Sequence, residues 1–407
     1  MKISPGGILC TLIVLMACSC EDQSENDASR PPVVEAYVHS GPELHVQVGD
    51  SIQAALEKAA ESGVERVIVH AGTYRPSAPQ QALIWFNERH DGILLEADGE
   101  VVLTAANPEV AKPQSKGYPA IVNHVVYFGH KVGARTTLRG FKITGANNFV
   151  TTRPDPVIQP GLAEPGRDAP PLSKTKFFYS DGGGIKIFGA SSPTIENCEI
   201  FDNHSYPCGA GISVEQRGFN EVPVTIRNCI FRGNHAPMTG AALDLLDMDR
   251  RHGSSAVIDN CLFIGNLGNG PREERHKSVR SWSPKFGHGA ITVFPPSRAT
   301  VTRSTFVGNR NGVDDHGANS TYTDCIFWKN TAPGGWPTGG RYDFDITNGR
   351  GVTGCMIGGV VLDLRGKIDP AKNNLDPPDP RFDATSDPKN DAYRDVGYRS
   401  GSALASD

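Results

Sequence analysis

Pro193–Asn203 reads PTIENCEIFDN, and the phrase returns as Val224–Asn234 (VTIRNCIFRGN), Ala256–Asn266 (AVIDNCLFIGN), Ala299–Asn309 (ATVTRSTFVGN) and Thr321–Asn330 (TYTDCIFWKN). Each copy alternates apolar and polar residues at the period of a strand, with a bend near its centre. Like residues recur at like places. Cys198, Cys229, Cys261 and Cys325 mark one position, with Ser304 in one copy, and Asn203, Asn234, Asn266, Asn309 and Asn330 mark another. Such internal ladders are what coils stacked about 4.8 Å apart produce. Between the copies lies a second phrase, in which small residues precede a short alternating run: Gly-Gly-Gly-Ile185-Lys-Ile, Gly-Ala-Gly-Ile212-Ser-Val, Gly-Ala-Ala-Leu243-Asp-Leu, His-Gly-Ala-Ile291-Thr-Val and Asn-Gly-Val313-Asp-Asp.

The cysteine marks, with Ser304 standing in, are 31, 32, 43 and 21 residues apart. The shortest interval is near a bare coil, so the longer ones carry loops. Loops on a solenoid gather on one face, commonly the binding face, and the longest candidates are Asn147–Ser180 and Leu267–Phe286. A length of 407 residues therefore does not demand two domains, and 45 Gly with 30 Pro at 21% charged residues fits many short strands joined by turns. The net charge of −5 is small for this size and gives no global attraction to nucleic acid, so none is expected as a partner.

At the N-terminus, Met1-Lys2 precedes the apolar run Ile8–Ala17, which has the length of a signal h-region and is too short to span a bilayer. Leu15-Met16-Ala17-Cys18 resembles the bacterial lipobox. That resemblance implies a signal peptide over 1–17, acylation of Cys18 (Cys20 being the alternative), and an exported lipoprotein anchored to a bacterial membrane. Ser19–Pro32 is polar and suits a tether, so 18–43 reads as anchor and tether.

From Leu44 the folded body is expected to begin. Asp50-Ser51-Ile52-Gln53 offers a helix N-cap with Gln at N3, and Ile52, Ala55, Leu56 and Ala59 recur at helical spacing up to Gly63. SIQAALEKAA followed by VIVHAGTYR resembles the N-terminal cap and first coil of bacterial right-handed parallel β-helix proteins of the pectate-lyase-like kind. Asn373–Phe382 and the stretch after it resemble their C-terminal ending. The resemblance covers residues 44–407 and implies an all-β, single-stranded right-handed parallel β-helix with a short capping helix. A monomer is expected.

Of nine cysteines, Cys10 lies in the signal and Cys18 in the anchor, and no CxxC pair occurs. A zinc site is not expected, the remaining thiols read as a mostly reduced ladder, and no cofactor is expected, calcium having no motif to support it. His204 and His235 follow matching ladder asparagines and read as surface turn residues, with an imidazole pair as the alternative.

Gly287-His288-Gly289 resembles a polygalacturonase motif, but it falls where other coils carry glycine turns and is read as turn chemistry. Arg251-His252-Gly253 with Asn260 and Phe263 is similar to part of the pattern of polysaccharide lyase family six. That family's catalytic lysine would fall at Ser213-Val214-Glu215-Gln216, which has none.

If Ile185, Ile212, Leu243, Ile291 and Val313 point inward, alternation makes Lys186, Ser213, Asp244, Thr292 and Asp314 one outward column, and Phe188, Glu215, Leu246, Phe294 and His316 the next. The loop Pro271–Lys285 adds Arg280 and Trp282, suited to an acidic sugar chain. The expected function is binding of polysaccharide, with Arg280, Trp282, Lys186 and Glu215 as contacts. The alternative is a lyase or glycoside hydrolase. For a lyase, His316 would be the base, Asp314 its orienting group, and Arg251 or Arg280 the neutraliser of a uronate or sulfate. For a hydrolase, Asp244 and Asp314 would be acid and base.

Overall fold

In the computed structural model, residues 41–110, 117–129, 131–147, 181–205, 208–216, 219, 221–237, 239–246, 253–268, 289–330, 342–358 and 368–401 are described. They build a right-handed parallel β-helix with a long sheet of 17 strands, a short sheet of eight, and a two-stranded ribbon. Each repeated phrase supplies two strands of the long sheet. Val224–Arg227 pairs in parallel with Ser255–Asp259, and Ile230–Arg232 with Leu262–Ile264.

The bend inside each phrase has a stereochemical cause. Asn197, Asn228, Asn260, Arg303 and Asp324, each just before the Cys/Ser mark, all adopt left-handed backbone, with φ between 45° and 55°. Asn and Asp tolerate that conformation best among residues with a side chain, which accounts for their prevalence there. Past the bend the chain turns inward, and Phe231, Phe263, Phe306 and Phe327 stack at 4.7, 4.5 and 4.7 Å between centroids. The six cysteines among the described residues are free and buried.

The asparagine ladder holds the second corner. Asn266 accepts at Oδ1 from Asn234 N and Nδ2, and its Nδ2 donates to Phe231 O and Asn309 Oδ1. The ladder ends where Asn330 donates to Asp343, whose buried carboxyl is pushed up to about 6 by desolvation. Small residues enter the short sheet because coils touch there: a Cβ on Gly312 would lie 2.0 Å from Asp343 O, and one on Gly211 2.3 Å from Ala242 O.

The capping helix is Ile52–Ser62, with Ile52, Leu56 and Ala59 buried against the first coil. Ser51, rather than Asp50, is its N-cap, accepting from Ala54 N, while Asp50 accepts from Gln47 N in the preceding turn. Gln53 does not reach back to the cap; its Oε1 accepts from Trp85 N and so ties helix to sheet. At the other terminus, Arg399 N donates to Asn260 Oδ1 and Gly397 N to Asp324 O, so the last described residues strap the bends of the long sheet. His204 and His235 stack with centroids 4.6 Å apart on the ribbon side, which corrects their reading as turn residues in favour of the imidazole pair.

Candidate active site on the short sheet

The strands of the short sheet carry the two columns expected from alternation. Lys186 pairs in register with Ser213, Ser213 with Asp244, Asp244 with Thr292, and Thr292 with Asp314. One further strand, Phe344–Ile346, extends this column with Asp345. The second column runs through Phe188, Glu215, Leu246, Phe294 and His316, fixed by backbone bonds such as Leu246 N to Val214 O and His316 N to Val293 O, and Thr347 continues it.

Facing away from the solenoid interior does not expose the first column. Lys186, Ser213 and Asp244 are fully buried, as is Glu215 of the second column, and Thr292 is nearly so. Lys186 Nζ lies 3.1 Å from Asp181, 3.2 Å from Ser213 Oγ and 3.4 Å from Glu215. Burial pushes the Asp181 carboxyl up to about 6 against the pull of the ammonium, and burial with the neighbouring Asp181 charge holds Asp244 well above the carboxylate range. Lys186 and Glu215, expected as substrate contacts, thus face each other rather than solvent, and Asp244 is buried beside them.

The C-terminal end of the same face is more open. His316 Nε2 lies 2.7 Å from Asp314 Oδ1, and its Nδ1 lies 2.9 Å from the Oγ1 of exposed Thr347. The Asp314 carboxylate, with Asp345 and Asp315 nearby, holds the imidazole above its ordinary value despite partial desolvation. Nε2 thus faces the Asp314 carboxyl, and Nδ1 faces the accessible side, where it meets the Thr347 hydroxyl. The ligand atoms of Asp314, His316 and Asp345 lie within 4.8 Å of one another and could hold a cation.

Asp315 belongs to the interior. It accepts from Tyr322 Oη at 2.8 Å and from Gly317 N, and burial raises its carboxyl. Asp244 and Asp314, the hydrolase pair, stand two strand steps apart with Thr292 between them. Sequence reasoning brought His316 and Asp314 together but missed Asp345 and Thr347. The alternation in Tyr342-Asp343-Phe344-Asp345-Ile346 was the available signal. Arg251, Arg280, Trp282 and Cys18 lie outside the described residues.

Comparison with known proteins gives the architecture. The model of the right handed beta helix region matches residues 147–279. No curated protein sequence matches. Among solved structures, the chain is similar to Escherichia coli YbhC, at 11% identity over 89% of this chain and 84% of that one, with a TM-score of 0.36. It is also similar to the A-module of the Azotobacter vinelandii mannuronan C-5 epimerase AlgE4, at 13% identity over 75% and 76%, with a TM-score of 0.26. From the matched region, the repeated coils and their parallel register, the chain is a right-handed parallel β-helix protein.

Proposed function

We propose that the protein is a polysaccharide-processing enzyme whose reaction centre is the Asp314–His316 pair at the C-terminal end of the short sheet. The observation that carries this is the line Asp314 Oδ1, His316, Thr347 Oγ1, in which a buried carboxylate fixes one ring nitrogen and turns the other toward the accessible side. A base needs that support: the carboxylate sets tautomer and orientation and stabilises the imidazolium once the proton has moved. A raised histidine value brings the group closer to the operating pH, where proton transfer in both directions is efficient.

The substrate class rests on the sequence of Pro271–Lys285, where Arg280 suits a carboxylate or sulfate and Trp282 a sugar ring. In a lyase step His316 would take the proton next to the uronate carboxyl, the electron pair of the C–H bond would form the new double bond, and the leaving sugar oxygen, departing with its bond pair, would receive a proton back from the imidazolium or from water. Acylation at Cys18 would present this face outside the cytoplasm on a bacterial membrane.

The test is incubation of the purified chain with a panel of acidic and neutral polysaccharides, following reducing ends and the ultraviolet absorbance of unsaturated uronates. Absorbance that grows with wild type and disappears in His316→Ala supports the reading. Reducing ends without absorbance move the chemistry to hydrolysis by carboxylates. Glycan retained without products from any substrate overturns catalysis and leaves a glycan-binding protein.

A further inference from the structure

At the N-terminal end of the long sheet, four side chains form a line on the outer face. Strand Glu43–Val46 pairs in parallel with Arg66–Tyr74, with His45 opposite Ile68, so His70 lies one side-chain step further along the same face. His70 is in turn opposite Asp98. The outer ring nitrogens meet carboxylates: His45 Nε2 is 3.1 Å from Glu43 Oε1, and His70 Nδ1 is 2.9 Å from Asp98 Oδ2. The inner nitrogens, His45 Nδ1 and His70 Nε2, are 2.9 Å from each other. The rings are 11° from parallel with centroids 5.1 Å apart, close to the longest separation that such an N···N contact permits. The two nitrogens therefore lie almost on the line between the ring centres, edge to edge.

Counting protons shows what this arrangement lacks. An ionised carboxylate only accepts, and Glu43 is held in place by Arg66 Nη1 at 2.8 Å from its other oxygen. Each outer nitrogen must then carry its ring's N–H. In two neutral rings both inner nitrogens present lone pairs, and two acceptors at hydrogen-bonding distance repel unless a cation lies between them.

We propose that His45 and His70 are ligands of a divalent d-block ion of the zinc, nickel and copper class. Imidazole suits that class, and a carboxylate on the far nitrogen of each ring is the support that metal-binding histidines use to fix tautomer and raise basicity. Ligands about 2.0–2.1 Å from a metal and set at a right angle to each other span close to the observed N···N distance. The side chains are 47% and 28% exposed, so each ring has room for the turn of roughly 45° that brings both lone pairs to a shared point on the solvent side, where water completes the shell. The ion would join the first strands of the long sheet, a site separate from the Asp314–His316 centre and independent of its function.

Calorimetric titration of Zn²⁺, Ni²⁺ and Cu²⁺ into the purified full chain tests this. Apart from any ion taken by the Asp314–His316–Asp345 group, one ion per chain is expected to bind here, with copper bound more tightly than nickel or zinc. His45→Ala and His70→Gln should each abolish this binding, Glu43→Gln with Asp98→Asn should weaken it roughly 10- to 100-fold, and Asp314→Asn should leave it unchanged. An unchanged far-ultraviolet dichroism spectrum shows that each variant is folded. Absence of binding in Asp314→Asn, where the Asp314–His316–Asp345 group is broken, or binding that survives both histidine substitutions in that background, overturns the proposal.

Discussion

Replacing Lys186 by Met tests whether the buried column is an ion cluster excluded from water. The ammonium is fully buried and touches Asp181, Ser213 and Glu215, with Asp244 next in register. Met fills much of the same space, so the loss is chiefly one of charge. Removing one partner of a buried pair costs about 3–5 kcal/mol, because the remaining carboxylates can neither be hydrated nor paired. That cost must depend on pH. Asp181, raised to about 6 by burial, contributes stability at low pH that is lost as pH rises through its folded value. Without the lysine that value moves higher still, so the destabilisation by Lys186→Met should approach the top of the range at pH 8 and shrink at pH 5, where Asp181 is protonated. Adding Glu215→Gln should restore more than half of the loss. Denaturant unfolding followed by circular dichroism at both pH values measures this. A loss under about 1 kcal/mol at pH 8, or an equal loss at both, would show that water reaches the column and would refute the argument.

At the proposed centre, His316→Ala should lower product formation by about 10²–10⁴-fold, the usual contribution of one acid–base group, with little change in melting temperature. Because Asp314 raises the His316 value, the pair's contribution to stability is present below the unfolded histidine value and lost as pH rises through the higher folded one. Melting curves of wild type should show this falling slope and those of His316→Gln should not. In the ladder, Asn266→Ala leaves Asn234 N without its acceptor and removes the side-chain donor to Phe231 O, while Asn309 Oδ1 keeps the residue 266 N–H and Asn234 Nδ2 keeps Ile200 O, and it should cost about 1–3 kcal/mol in denaturant unfolding. Tyr322→Phe removes the hydroxyl that Asp315 accepts from inside the solenoid, and should cost about 1–3 kcal/mol by the same measurement.

Much of the fold is legible in the sequence because a parallel solenoid repeats its constraints. Every coil must bend at the same place, so Asn and Asp recur before the Cys/Ser mark, and every coil must fill the same interior, so Phe231, Phe263, Phe306 and Phe327 recur after it. Alternation also orders the two columns of the short sheet. It says which face a side chain takes, however, and not what lies over that face. Lys186, Glu215 and Asp244 therefore read as solvent groups although they are buried. The strand Phe344–Ile346 escaped because its coil lacks the small-residue signature, and with it Asp345 and Thr347 went unseen.

Asp315 follows Asp314 in the chain but does not share its face. Val313 faces inward and Asp314 outward, so Asp315 must face inward again, where Tyr322 receives it. The same period places His316 with Thr347 instead of with its neighbour Asp315. What separates the two ends of the column is burial. Asp244, with no solvent and a neighbouring carboxylate, has its carboxyl pushed well above the ordinary value, whereas Asp314 has a half-buried imidazole beside it. An acid that cannot meet water cannot exchange protons with a substrate, while a carboxylate that polarises an accessible imidazole can act through it. On one continuous sheet face, that difference gives the Lys186 end structural work and is why we propose proton transfer at the His316 end.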